Sequence, residues 1–164
     1  MESTSIDSRT LRQTVGRFVT GVTVVALESE GEVRAMTANS FTSLSLDPPL
    51  VLFCLGKDTK AGHHIRSVAG FAVSILGSDQ QDLSSYFAGA WKQDEPPPFT
   101  FAEWDGGPRL EGCIAALGCR VHAIHEGGDH WIVVGQVIAT YRVDNAALPL
   151  VFFGGRYVTL GDFT

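Results

Sequence analysis

Side chains able to bind or orient a ligand concentrate in one stretch, "MTANSFTSLSLDPPLVLFCLGKDTK", residues 36–60. Thr37, Ala38, Asn39 and Ser40 fall where an alternating strand-like run ends. Asparagine suits such a place because its side chain bonds nearby backbone, so an ordinary polar turn is one reading. In "CLGKDTKAGHHI", an apolar run emerges at Gly56, passes Lys57 and Lys60, and enters a helix at Thr59. That arrangement gathers backbone N–H groups, a hydroxyl and two cations at one place, a donor set that suits a phosphate. A solvated loop with a simple threonine cap has the same pattern. A third candidate lies in "EGGDHWIVVGQV": Gly127, Gly128 and Asp129 form a tight hairpin, and His130 opens the next strand. A lone histidine there is commonly a surface residue, but its imidazole near pH 7 could also donate to an amide or a carbonyl.

Other chemistries find no support. There is no GxGxxG after a strand, no GxxxxGK[ST] and no GxSxG, which removes the motif for a Rossmann site, a P-loop or a nucleophile elbow. His122 and His125 fall on opposite faces of a strand and the adjacent His63 and His64 diverge, so no metal is expected. Cys54, Cys113 and Cys119 have neither disulfide nor zinc spacing, which suggests reduced thiols and a cytoplasmic setting. The net charge of -6 argues against a nucleic-acid partner. No apolar run reaches the roughly 20 residues needed to cross a bilayer, and the opening "MESTSIDSRTLRQTVGRF" has no apolar core for a signal peptide.

The elements that must position these residues are mostly strands. At 164 residues with 45% hydrophobic composition, the chain is expected to form one domain, 1–164. Asp7 is a plausible cap for a short helix in which Leu11, Val15 and Phe18 recur. "GVTVVALE" and "EVRAMTA" read as a hairpin around "SEG"; "FTSLSL" alternates; "LVLFCL" is a buried strand after "DPP". Thr59 caps a helix to about Val68, "FAVSIL" is a strand, and Asp79 opens a helix ending at Phe87. Residues 90–109, with "PPP" and two tryptophans, read as a long surface loop. Strands resume with "CIAALGCRVHAIHEG", "HWIVVGQVIATYRV" and two short runs around Gly154-Gly155. Eight or nine strands, mostly joined by hairpins, with two or three short helices predict an antiparallel barrel rather than a doubly wound sheet.

Taken in order, "LRQTVGRFVTGVTVV", "MTANSFTSLSLDPPLVLFCL", "FAVSIL", "FAG", "EGGDHWIVVGQV" and "PLVFFGGRYVTL" make nearly the whole chain resemble the flavin reductase-like, FMN-binding split-barrel family. Its best-known members are the small reductase components of two-component flavin-dependent monooxygenases. The resemblance implies a mainly β, antiparallel split barrel with Greek-key connections, a homodimer, and a flavin site at each subunit contact. It implies that Thr37, Ala38, Asn39 and Ser40 line the isoalloxazine and ribityl part of FMN or FAD. Cys54, Leu55 and Gly56 would pass beside the flavin through backbone groups, and Lys57, Thr59, Lys60 and Ala61 would sit at its phosphate end. Phe87 would pack on its flank, His130 would lie near the nicotinamide of NADH or NADPH, and Arg156 and Tyr157 would complete the pocket. Where members often carry S-S/T-R-T, this chain has Asp58, Thr59, Lys60 and Ala61, with fewer phosphate-binding groups. The implied activity is hydride transfer from NAD(P)H to flavin, with reduced flavin passed to a separate monooxygenase. The alternatives are a flavoenzyme with tightly bound flavin acting on an organic substrate, and a non-catalytic flavin- or haem-binding barrel.

Overall fold

The computed structural model describes residues 5–145 and 147–161. Helix α1 (Ser8–Val15) starts at Asp7, whose carboxylate accepts from the Thr10 N–H at 3.0 Å. It stops short of Phe18: past Gly16 the Arg17 and Phe18 N–H groups turn to the i−3 carbonyls of Thr14 and Val15. Twelve strands follow among the described residues: β1 (Thr20–Gly21), β2 (Thr23–Ser29), β3 (Glu32–Ala38), β4 (Thr42–Leu46), β5 (Pro49–Gly56), β6 (Gly70–Ile75), β7 (Phe101–Ala102), β8 (Arg109–Leu110), β9 (Ala115–Gly127), β10 (His130–Arg142), β11 (Val151–Phe153) and β12 (Arg156–Val158). Helix α2 (Lys60–His64) joins β5 to β6 and tightens into a 3₁₀ turn at Ile65–Ser67; α3 (Gln81–Phe87) follows β6.

Seven strands form one antiparallel sheet in the order β3-β2-β6-β9-β10-β5-β4. Its edge strands β3 and β4 are consecutive in the chain, joined only by Asn39, Ser40 and Phe41. Laid flat, six inter-strand steps would part those edges by about 29 Å, whereas such a linker reaches roughly 14 Å at full extension. The sheet must therefore curl until its edges approach, and the expected barrel follows. The barrel interior holds Val25, Leu27, Phe53, Leu55, Phe71, Val73 and Val133, with Phe53 and Phe71 edge to face at 5.0 Å. A second apolar layer, Val22, Val24, Leu76, Leu110 and Leu150, covers the other face of β2 under α3 and the C-terminal strands. With both faces covered, β2 is buried without alternation from Thr23 to Leu27.

Beyond the shorter α1 and the twelve strands in place of eight or nine, two details differ from the sequence reading. Helix α3 begins at Gln81 with Gln80, not Asp79, at its start, because the Gln80 side chain is drawn back to accept from the Gly77 N–H at 3.0 Å. The long loop is also not wholly irregular: Phe101–Ala102 pairs with Arg109–Leu110, and the Leu110 N–H donates to the buried Ser74 hydroxyl.

Candidate functional site

The seam where the curled sheet fails to close runs along β3, which pairs only with β2. Alternate residues of β3 divide between two environments: Met36 and Ala38 pack on the barrel interior, and Ala35 packs on the outer layer. Along that seam lies a cleft of about 730 Å³. Its walls are Glu32–Ala35 of β3 and Lys60, His63 and His64 of α2, and its floor is aromatic: Tyr86, Phe87, Phe99 and Phe101. The floor is a set of tilted and edge-on rings, Phe87 standing 5.0 Å from Phe99 and 5.8 Å from Phe101. Further along β3, a smaller cavity of about 210 Å³ is lined by Thr37, Asn39, Ser84, Ala88, Phe152 and Tyr157. Phe87 borders the first cavity and Ala88 the second, so both follow one strand past the end of α3.

Polar side chains brace this trough. The Thr37 hydroxyl donates to the Ser84 carbonyl at 2.6 Å, and the Ser84 hydroxyl meets the Tyr157 hydroxyl at 2.8 Å. Ser40 straps the crossover to β5, accepting from the Cys54 N–H at 3.0 Å and donating to the Cys54 carbonyl at 3.1 Å. The Thr59 hydroxyl donates to the Gly56 carbonyl at 2.8 Å and accepts from the Gly62 N–H at 2.9 Å, which locks the β5–α2 turn.

The structure thus gathers Thr37, Asn39, Lys60, Phe87 and Tyr157 on one trough, with Ser40, Cys54, Gly56 and Thr59 building its frame. Ala38, Leu55 and Ala61 are buried in the barrel core, so any ligand contact of theirs is through backbone. Lys57 lies elsewhere: its amide donates to the Asp129 carbonyl, and its ammonium sits 4.5 Å from the Trp131 ring centre and 3.5 Å from Glu126. Arg156 is exposed on β12, opposite Phe153. The sequence reading gave no binding role to Arg34, His63, His64, Tyr86, Phe99 or Phe101. The i, i+3, i+4 spacing of Lys60, His63 and His64 was a usable signal for one wall; nothing local joins the rings of α3 to those of the loop.

His130 is paired with Gly56 across β10 and β5. Its Nδ1 lies 2.7 Å from the Asp129 carboxylate, and its Nε2 lies 3.8 Å from where a Cβ on Gly56 would stand. The hydrogen bond to His130, and then its charge, hold the Asp129 carboxyl below the usual range. A lowered carboxylate contributes above its ordinary titration range and loses that contribution as pH falls through the lowered value. The pair therefore keeps His130 oriented at neutral pH.

The cysteines divide by burial. Burial pushes the Cys119 thiol up to about 12 and raises Cys113, where the nearby Arg109 opposes it only in part. Both are fully buried, whereas Cys54 is partly accessible beside Ser40. A thiol reagent at pH 8 is expected to modify Cys54 quickly and the other two only after denaturation. A rapid second equivalent in the native protein would contradict this packing.

The chain matches the family described as "Flavin reductase like domain" over residues 15–161. It is 41% identical over 152 residues to the NADH-dependent FAD reductase of Streptomyces globisporus, covering 90% of this chain and 82% of that protein. It is 36% identical over 160 residues to the reductase subunit HsaB of a flavin-dependent monooxygenase of Mycobacterium tuberculosis, covering 94% and 83%. Among solved structures, the flavin reductase PheA2 in its native state superposes with a TM-score of 0.89 at 38% identity, covering 96% of this chain and all of that one. A match over nearly the whole length, carried by the same curled antiparallel sheet, places this chain in the flavin reductase-like domain family.

Proposed function

We propose that this chain is an NADH:flavin oxidoreductase that reduces FAD, or FMN, and supplies the reduced flavin to a separate monooxygenase. The relatives named as NADH-dependent FAD reductase and as a monooxygenase reductase subunit support this reading. The structural observation that carries it is the trough along β3. An aromatic floor faces a wall carrying Lys60, His63 and His64, and an open strand edge runs on to Thr37 and Asn39, a donor set that fits a flat heteroaromatic ring joined to phosphates.

When bound, the flavin accepts the hydride, and that chemistry belongs to the cofactor rather than to a protein acid or base. The chain's part is placement. Thr37, Ala38, Asn39 and Ser40 would hold the isoalloxazine and ribityl end, with the backbone of Cys54, Leu55 and Gly56 beside it. Thr59, Lys60 and Ala61 would receive the phosphate end, and Phe87 would support the flank. Lys57 is turned onto Trp131 and Glu126, so its part is to steady the turn that carries Gly56 and His130. His130, oriented by Asp129, would position the nicotinamide, and Tyr157 would close the trough through Ser84. Arg156 would meet the nicotinamide cosubstrate from β12. Holding two rings in reacting register is worth several kcal/mol, up to about 7–11 in well-oriented systems.

A homodimer belongs to the same reading. Helix α1 buries none of its residues, and Leu11 and Phe18 are 52% and 76% exposed. They line, with Val15, Phe41 and Phe152, an apolar groove of about 690 Å³ that ends at Asn39 and Ser40. A second copy seated there would bury these side chains and complete the flavin end of the trough. A cytoplasmic location fits the three free cysteines; no helix among the described residues is long and apolar enough to cross a membrane.

The test is flavin-freed protein with NADH or NADPH, followed by absorbance in air with FAD, FMN or no flavin. Oxidation of NADH that rises with added FAD is the expected result. A protein that stays yellow and ignores added flavin would indicate a self-contained flavoenzyme, and no turnover with any pair would leave a binding barrel.

A further inference from the structure

The wall of the large cleft formed by α2 carries three cationic or imidazole side chains, Lys60, His63 and His64, on one helix face. The fourth basic group there, Arg34, is already bound by Glu32 at 2.9 Å and by Glu30 at 3.4 Å. Among the described residues, no carboxylate forms an ion pair with Lys60, His63 or His64. His64 is also held in place: the Ser29 hydroxyl at the end of β2 lies 3.0 Å from its Nδ1. Were Ser29 the donor to Nδ1, the ring proton would sit on Nε2, which would then be the nitrogen left to donate to a ligand. Opposite stand the rings of Tyr86, Phe87, Phe99 and Phe101.

A platform of rings facing a cluster of donors is matched by a purine tied to a pyrophosphate. We infer that His63 and His64, with Lys60, grip the pyrophosphate of FAD, and that Ser29 is a positioning residue for His64. The inference rests on the flavin reductase reading and deepens it. The seat starts at Lys60 and extends one turn along α2 to His63 and His64, beyond Asp58 and Ala61, whose side chains offer no phosphate-binding group. FMN reaches such a seat with one phosphate and riboflavin with none, so the cluster acts as a selector for the dinucleotide.

The test is calorimetric titration of the full chain with FAD, FMN and riboflavin. The unaltered protein is expected to bind FAD more tightly than riboflavin. His63→Ala and His64→Ala should each weaken FAD by about tenfold, the scale of one hydrogen bond to a charged group, and leave riboflavin within about twofold. Ser29→Ala should reproduce part of the His64→Ala loss and add nothing to it in the double variant, which a merely structural serine would not do. Variants that keep the original FAD-to-riboflavin ratio would overturn the inference, as would equal losses for both ligands. If the unaltered chain binds no flavin at all, the flavin reading itself falls, and this inference with it.

Discussion

Replacing His130 with alanine is expected to raise the apparent KM for NADH about tenfold or more while that for FAD stays within about twofold. The asymmetry follows from where the imidazole stands. His130 is the first residue of β10, beside Gly56 and outside the cleft lined by Lys60, His63 and His64. Its Nδ1 is taken by Asp129 at 2.7 Å, so on the proposed reading Nε2, on the Gly56 side, is the nitrogen that would meet the cosubstrate. A lost hydrogen bond to a polar partner costs about 1–3 kcal/mol, roughly five- to 150-fold in affinity. The loss appears in KM if it acts on ground-state and transition-state binding alike. Asp129→Asn should move the same parameter in the same direction but less, since the ring remains and only its orientation loosens. Steady-state kinetics with each substrate varied in turn gives the answer. Unchanged KM for both substrates would remove His130 from the site, and an equal rise in both would mean that the β5–α2 turn had shifted.

How far such a site can be read beforehand depends on whether its signals are local. The hairpins were legible because their turns are written in adjacent residues: Glu30 and Gly31 both take positive φ between β2 and β3, and so do Gly154 and Gly155 between β11 and β12. The caps at Asp7 and Thr59 were legible for the same reason. Closure into a barrel could be anticipated from the count of hairpin-linked strands, and the split form of that barrel only through resemblance. Curling of the sheet becomes a physical necessity once the strand order shows β3 and β4 at opposite edges with three residues between them. The aromatic floor could not be anticipated: Phe87 ends a helix, Phe99 and Phe101 lie in what reads as a loop, and only tertiary packing makes them one surface. Gln80 shows the same limit, because its side chain competes for the Gly77 amide and so displaces the expected start of α3.

Gly62→Ala tests whether α2 truly forms the wall of the site. An added Cβ would overlap the Gly56 carbonyl oxygen and come within 2.8 Å of the Lys57 carbonyl oxygen. Both obstacles are backbone, so no side chain can swing aside to relieve them. The Gly62 N–H is moreover the one that the Thr59 hydroxyl accepts from, so lifting α2 away from β5 also strains the cap. Overpacking of this kind costs about 1–3 kcal/mol, and the displaced segment is the one that carries Lys60, His63 and His64. The variant is therefore expected to lose about 2 kcal/mol in urea unfolding and to bind FAD at least tenfold more weakly. Gly31→Ala supplies the contrast. Gly31 has a φ of 73° with open space around its Cβ, so the cost there is conformational alone, about 1–2 kcal/mol, and FAD affinity should not change. Two variants of similar stability but different flavin affinity would separate loss of a wall from loss of folding. Equal FAD affinity in both would mean that the cleft beside α2 is not where the flavin binds.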